Sequence, residues 1–134
     1  MKTKKAIILC VDDEVTILNT LKTQLKNEFA DTYNYEMAEN ATDALEIIEE
    51  LEEDNIPIIL IVSDWLMPGM KGDEFLIQVH QKFPNIIKIM LTGHADEAAV
   101  KRALEQANLF CCLYKPLNTE DLIKTIQSSI DTHG

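Results

Sequence analysis

The chain has 134 residues, 46% hydrophobic and 26% charged, with a formal net charge of −11 at pH 7. Those values suit a single soluble domain spanning 1–134 with its own core. They exclude a membrane span, since the longest apolar run, 56–62, is short and broken by Pro57. They also argue against nucleic-acid binding by this chain alone, because lysines gather only at Lys2, Lys4 and Lys5.

The elements alternate five times between a short apolar run and an amphipathic segment. Lys5 to Val11 is continuously apolar after its first residue, as a central strand covered on both faces is. Asp12, Asp13 and Glu14 end that run too early for an export segment. Val15, Leu18, Leu21, Leu25 and Phe29 recur at three- and four-residue steps, which predicts a core-facing helix. Tyr33 to Ala38 reads as a polar strand at the sheet edge. Asn40 is placed to cap a second helix burying Ala41, Ala44, Leu45, Ile48 and Leu51, whose outer face carries Glu46, Glu49, Glu50, Glu52 and Glu53.

Ile58 to Val62 is the third strand. After a loop at 67–72 comes a helix burying Phe75, Leu76 and Val79, stopped by Pro84. Ile86 to Leu91 is the fourth strand. Glu97 to Gln106 is a weaker helix with Ala98, Ala99, Val100, Ala103 and Leu104 as apolar positions, and it is expected to move most easily. Leu109 to Tyr114 is the fifth strand, and Asn118 or Thr119 caps a last helix carrying Leu122, Ile123, Ile126 and Ile130. Strands alternating with helices predict right-handed βαβ units and a three-layer α/β parallel sheet.

In such a sheet ligands bind at the carboxyl ends of the strands. Four strands here end on groups suited to phosphoryl chemistry: Asp12-Asp13, Asp64, Thr92 and Lys115. Confined carboxylates repel one another and need a cation. Oxygen-only ligands favour Mg²⁺, with Mn²⁺ an alternative, over zinc. One carboxylate then serves as nucleophile toward phosphorus, while the metal and a lysine neutralise the transferring oxygens. Each residue also has a plainer reading: Asp12-Asp13 as a helix cap, Ser63-Asp64 as a turn start, Thr92-Gly93 and Lys115-Pro116 as loops.

The segments Ile8-Leu9-Cys10-Val11-Asp12-Asp13-Glu14, Ser63-Asp64-Trp65-Leu66-Met67-Pro68-Gly69-Met70-Lys71-Gly72, Leu91-Thr92-Gly93-His94 and Tyr114-Lys115-Pro116 together resemble the receiver domain of two-component response regulators, over almost the entire chain. The resemblance implies a flavodoxin-like, doubly wound (βα)5 fold with strand order 2-1-3-4-5. It implies a phosphoryl-accepting switch in the cytoplasm rather than a turnover enzyme. Asp64 would accept the phosphoryl group from a sensor histidine kinase or a phosphotransfer protein. Asp12, Asp13, Asp64 and the Leu66 carbonyl would hold Mg²⁺, and Thr92 and Lys115 would contact the phosphoryl oxygens. The Lys115-Pro116 bond would be cis. Partners, among them a second copy of the chain or an effector, would dock on the fourth helix, fifth strand and fifth helix.

Three features depart from the family pattern. Cys112 stands where receivers commonly carry a switching Tyr or Phe, with Phe110 expected on its face, so the output would rely on the loop from Gly93 to Asp96. Leu66 and His94 flank the path of an attacking water, and a leucine there implies slow hydrolysis unless His94 assists. Cys10, Cys111 and Cys112 lack a Cys-x-x-Cys spacing and read as buried reduced thiols, with a redox pair at Cys111-Cys112 as the sharper alternative. The histidines share no ligand spacing with them, which argues against zinc.

Rival readings are an aspartate-nucleophile phosphatase, which would want an acid at Leu66, a degenerate receiver fold serving dimerisation, and a flavodoxin. The chain closes at Gly134 soon after the last helix, leaving open a stand-alone regulator or a receiver from a hybrid kinase, cyclic-nucleotide enzyme or transcription factor.

Overall fold

The computed structural model describes residues 5–93 and 97–133. Strands and helices alternate strictly: β1 (Ile7–Val11), α1 (Val15–Phe29), β2 (Asn34–Ala38), α2 (Ala41–Glu53), β3 (Ile58–Asp64), α3 (Gly72–Lys82), β4 (Ile87–Thr92), α4 (Glu97–Gln106), β5 (Cys111–Tyr114) and α5 (Thr119–His133). All strand pairs are parallel and the order is β2-β1-β3-β4-β5. This is the expected flavodoxin-like receiver fold. The chain winds outward from β1 to β2, then crosses back to β3 on the other side of β1. The resulting switch point places the carboxyl ends of β1 and β3 side by side.

The uniform hydrophobicity of β1 follows from that central position, since all five of its residues are buried. Ile8 and Cys10 pack with Leu18, Leu21 and Leu25 of α1 and Leu122 and Ile126 of α5. Leu9 and Val11 face the opposite layer, with Ala44 and Ile48 of α2, Phe75 and Val79 of α3 and Ala103 of α4. Two cores thus lie on either side of one sheet. Both helix caps read from the sequence are in place: Asn40 accepts from the Asp43 N–H at 2.8 Å and Asn118 from the Asp121 N–H at 3.1 Å.

Some expectations are corrected. Val15 begins α1 before that helix reaches the sheet, and it is exposed. In α4 only Ala99 and Ala103, one turn apart, are buried; Ala98 and Leu104 lie off that narrow line and are exposed. Strand β5 starts at Cys111, because Asn108 adopts a positive φ and the Leu109 N–H turns back to the Ala103 carbonyl. Phe110 therefore precedes the strand's alternation. It packs in the α1/α5 layer, whereas Cys112 packs in the other, so the two do not share a face.

The adjacent thiols also diverge, Cys111 into one layer and Cys112 into the other, and both are only half-buried because β5 is an edge strand. Burial pushes the Cys10 thiol up to about 12, with help from Asp12. Burial, then Cys112, pushes Cys111 up to about 11. Such thiols are poor nucleophiles.

Lys88 is a lysine inside the wall. It is 1% exposed, near the start of β4 between β3 and β5, and its ammonium donates to the Ile86 carbonyl. Burial lowers its pKa from 10.5 to about 8. A lysine lowered by folding binds its proton more readily when unfolded. Its penalty is therefore complete below about pH 8 and fades as pH rises toward 10.5. Lys88→Met keeps the stem's volume and discards the charge, and is expected to stabilise the chain by about 1 kcal/mol at neutral pH. Denaturant unfolding of both proteins at neutral pH and at about pH 10 checks this, the gap narrowing at the higher pH.

Candidate functional site

The site is assembled by strand ends. The Asp12 N–H donates to the Ala38 carbonyl at 3.1 Å, fixing the residue where β1 leaves the sheet. Its side chain is fully buried. Oδ1 accepts from the Glu14 N–H at 2.9 Å, and Oδ2 accepts from the Lys115 ammonium at 3.0 Å. The capping reading of Asp12 fails, because Glu14 is the N-cap of α1 and makes no side-chain cap bond. Asp13 is exposed beside it. Asp64, the last residue of β3, is nearly buried, with Oδ1 3.2 Å from Lys115 Nζ. One oxygen from each of Asp12, Asp13 and Asp64 lies within 4.8 Å of the others.

Lys115 is aimed by the sheet. Its N–H donates to the Thr92 carbonyl at 2.9 Å, which ties the residue after β5 to the buried end of β4. The Lys115-Pro116 bond is cis, as the resemblance implied. The structure thus brings Asp12, Asp13, Asp64, Thr92 and Lys115 to one edge. Leu66 stands at the rim of a cleft of about 520 Å³, also lined by Glu14, Trp65, Met67, Pro68 and Gly93. His94 and the rest of the 94–96 loop, to which the sequence assigned water access and output, lie outside the described residues.

A glycine is required where the loop between β3 and α3 meets α3. The Gly72 N–H donates to the Trp65 carbonyl at 2.8 Å, and a Cβ on Gly72 would collide with the Asp64 carbonyl oxygen. Gly69 supplies the positive φ of the preceding turn.

Burial is the main reason the Asp64 carboxyl is raised from 3.8 to about 6, with Asp12 adding to it, Lys115 opposing and Asp13 adding a little more. Burial alone would lower Lys115, but hydrogen bonding and charge from Asp12, then Asp64, outweigh it and hold the ammonium above its ordinary range. The one ammonium pairs with two of the aspartates, Asp12 and Asp64, with Glu14 a third carboxylate at 3.9 Å. An all-oxygen set with one exposed member, opening on a wet cleft, fits a hard, partly hydrated divalent cation. Among the described residues this is the group of carboxylates spaced to hold a metal ion.

The family model of the response regulator receiver domain matches residues 8–127. The chain belongs to that family. The hydrogenase transcriptional regulatory protein HoxA of Cupriavidus necator is 29% identical over all 134 residues, and this chain spans only 26% of HoxA's length. A CheY-like receiver domain protein of Methanospirillum hungatei superposes with a TM-score of 0.85 at 32% identity, covering 97% of each chain. The beryllofluoride-activated NtrC4 receiver domain dimer gives 0.81 at 26% identity, over 96% of this chain and 98% of that one. Receiver domains are signalling switches of two-component systems, and they generally bind Mg²⁺ at an acidic pocket of this kind.

Two features of this receiver domain escaped the sequence. Glu14 reaches toward Lys115, and its place in the motif was the available signal. Asp73 is buried and accepts from both Trp65 and Arg102. In sequence it is merely an acid in a helix's first turn, where acids are common.

Because folding raises the Asp64 pKa, its ionised form is disfavoured in the native chain. That cost is absent well below 3.8 and present above about 6. Without divalent metal at neutral pH, Asp64→Asn is expected to stabilise the domain by about 1 kcal/mol. Mg²⁺ is expected to reverse that order by stabilising the wild type more. Thermal unfolding in chelator and in Mg²⁺ measures both.

Proposed function

We propose that this receiver domain is a phosphoryl-accepting switch with Asp64 as the acceptor. The supporting observation is the Lys115 ammonium set between Asp12 and Asp64 at 3.0 and 3.2 Å, with Asp13 alongside at the mouth of the cleft. A carboxylate oxygen of Asp64 attacks the phosphorus of a phosphohistidine on a sensor kinase or phosphotransfer protein. The P–N bond breaks, the imidazole leaves with the electron pair, and an acyl phosphate remains on Asp64. Lys115 then exchanges part of its contact with Asp64 for the incoming phosphoryl oxygens, and the Thr92 hydroxyl donates to the same group.

Asp12, Asp13, Asp64 and the Leu66 carbonyl are the residues that would hold Mg²⁺. The ion would neutralise charge on the transferring oxygens. Leu66, where a phosphatase of this chemistry would carry a second acid, supports a switch rather than a turnover enzyme. Its exposed side chain at the cleft rim also supports a long-lived acyl phosphate.

The output surface is read as the face of α4, β5 and α5, where Leu104 and Tyr114 are exposed apolar side chains. Its occupant is a downstream effector, a fused output domain or a second copy. The HoxA likeness supports an output in transcription, and the NtrC4 dimer supports self-association. The described helices include none long and apolar enough to cross a membrane.

Trp65, the only tryptophan, lies beside Asp64 and reports on it. Its fluorescence should change on adding Mg²⁺ and change again on adding beryllofluoride, with both responses altered in Asp64→Asn. Metal binding with no response to beryllofluoride or a small phosphodonor would overturn the acceptor reading. Leu66→Asn offers a hydrogen bond to an attacking water, so acyl-phosphate decay should speed up about threefold or more. Loss of label from the phosphorylated protein measures it.

A further inference from the structure

Asp73 has no part in the phosphoryl chemistry, yet it is among the most committed acids in the molecule. It sits in the first turn of α3 with its side chain 2% exposed. Oδ1 accepts from the Trp65 indole N–H at 3.1 Å, and Oδ2 accepts from the Arg102 guanidinium on α4. A single buried carboxylate therefore joins the end of β3 to α4.

Trp65 is held at each of its polar groups. Its backbone N–H donates to the Leu91 carbonyl, and its own carbonyl accepts from the Gly72 N–H, both at 2.8 Å. The indole N–H goes to Asp73, and the Lys71 ammonium lies 5.3 Å from the ring centroid. Its sequence neighbours are Asp64 and Leu66. A change of charge at Asp64 is one peptide unit away from a residue that cannot shift without carrying its partners.

At the other end, α4 offers little shape to resist movement. Its buried residues are Ala99 and Ala103, and single methyl groups interlock weakly with a neighbouring surface. The ion pair to Asp73 is correspondingly important to its position. Because Asp73 is buried, losing Arg102 would leave its carboxylate, among the described residues, with the Trp65 indole N–H as its remaining side-chain donor, so the tie resists being broken by solvent.

We propose that Trp65, Asp73 and Arg102 form a relay that couples the occupancy of Asp64 to the position of α4. The inference rests on the reading of Asp64 as phosphoacceptor and adds the positioning residues that carry its state to the output face. If the relay couples the two, the dependence is reciprocal, and whatever fixes α4 changes the affinity at Asp64 by the same factor.

The test uses the whole chain with Mg²⁺ and beryllofluoride as the probe. Arg102 is 46% exposed, so Arg102→Gln removes the cation without opening the core. Hydrogen exchange across residues 97–106 is followed with and without beryllofluoride, and its apparent Kd is measured by calorimetry. The wild type should bind the probe and show altered exchange in α4. Arg102→Gln should still bind, with a Kd shifted about fivefold and the α4 response lost. Arg102→Lys, which keeps a cation within reach, should restore part of that response; a merely structural contact would alter thermal stability alone.

Binding by Arg102→Gln with unchanged Kd and a wild-type α4 response would overturn the relay while leaving the acceptor reading intact. Failure of the wild type to bind beryllofluoride would overturn the acceptor reading and the relay with it.

Discussion

The carboxyl edge of this sheet rests on one ammonium. Asp12 and Asp64 are both withdrawn from water, and removing ionised carboxylates from solvent costs several kcal/mol each unless an opposite charge is close. Lys115 supplies that charge at 3.0 and 3.2 Å. It is positioned by its main chain, through the N–H donated to Thr92, rather than by a free search of its side chain. The neutralising charge therefore arrives only when β5 is paired in register with β4. Sheet assembly and site assembly become one event.

That economy leaves the site short of positive charge. Of three carboxylates grouped within 4.8 Å, only Asp12 and Asp64 are paired with Lys115 among the described residues, and the Asp64 carboxyl is raised to about 6. The residual repulsion reduces native stability, and the same concentration of negative charge suits the site to a divalent cation. Stability and ligand affinity are thus set against each other by the same few atoms, as is common at functional sites. Gly72 contributes by letting the β3–α3 loop fold back onto the Asp64 carbonyl.

How much could be read from the residues depended on how local each cause was. Element order, both asparagine caps and the convergence of Asp12, Asp64, Thr92 and Lys115 were legible, because period and strand-end position are properties of contiguous sequence. Val15 and Leu104 were misplaced because the helical period names a face without saying where along the helix the sheet begins or how wide the contact is. Phe110 was assigned to the wrong layer because alternation was extended past the true start of β5, where Asn108 breaks it. Asp73 was invisible for a different reason. Its partners come from the residue after β3 and from α4, 8 and 29 residues away, and no local pattern marks such a meeting.

The alanine face of α4 has a consequence for how this molecule can diversify. A helix anchored by Ala99 and Ala103 owes the interior little, and nearly all of its outward residues are free of packing duty. Its exterior, Arg102 apart, can accumulate substitutions while the hydrophobic layers beneath remain as they are. The chemistry at the strand ends is constrained by its charges, and the outward side of α4 is left open to revision.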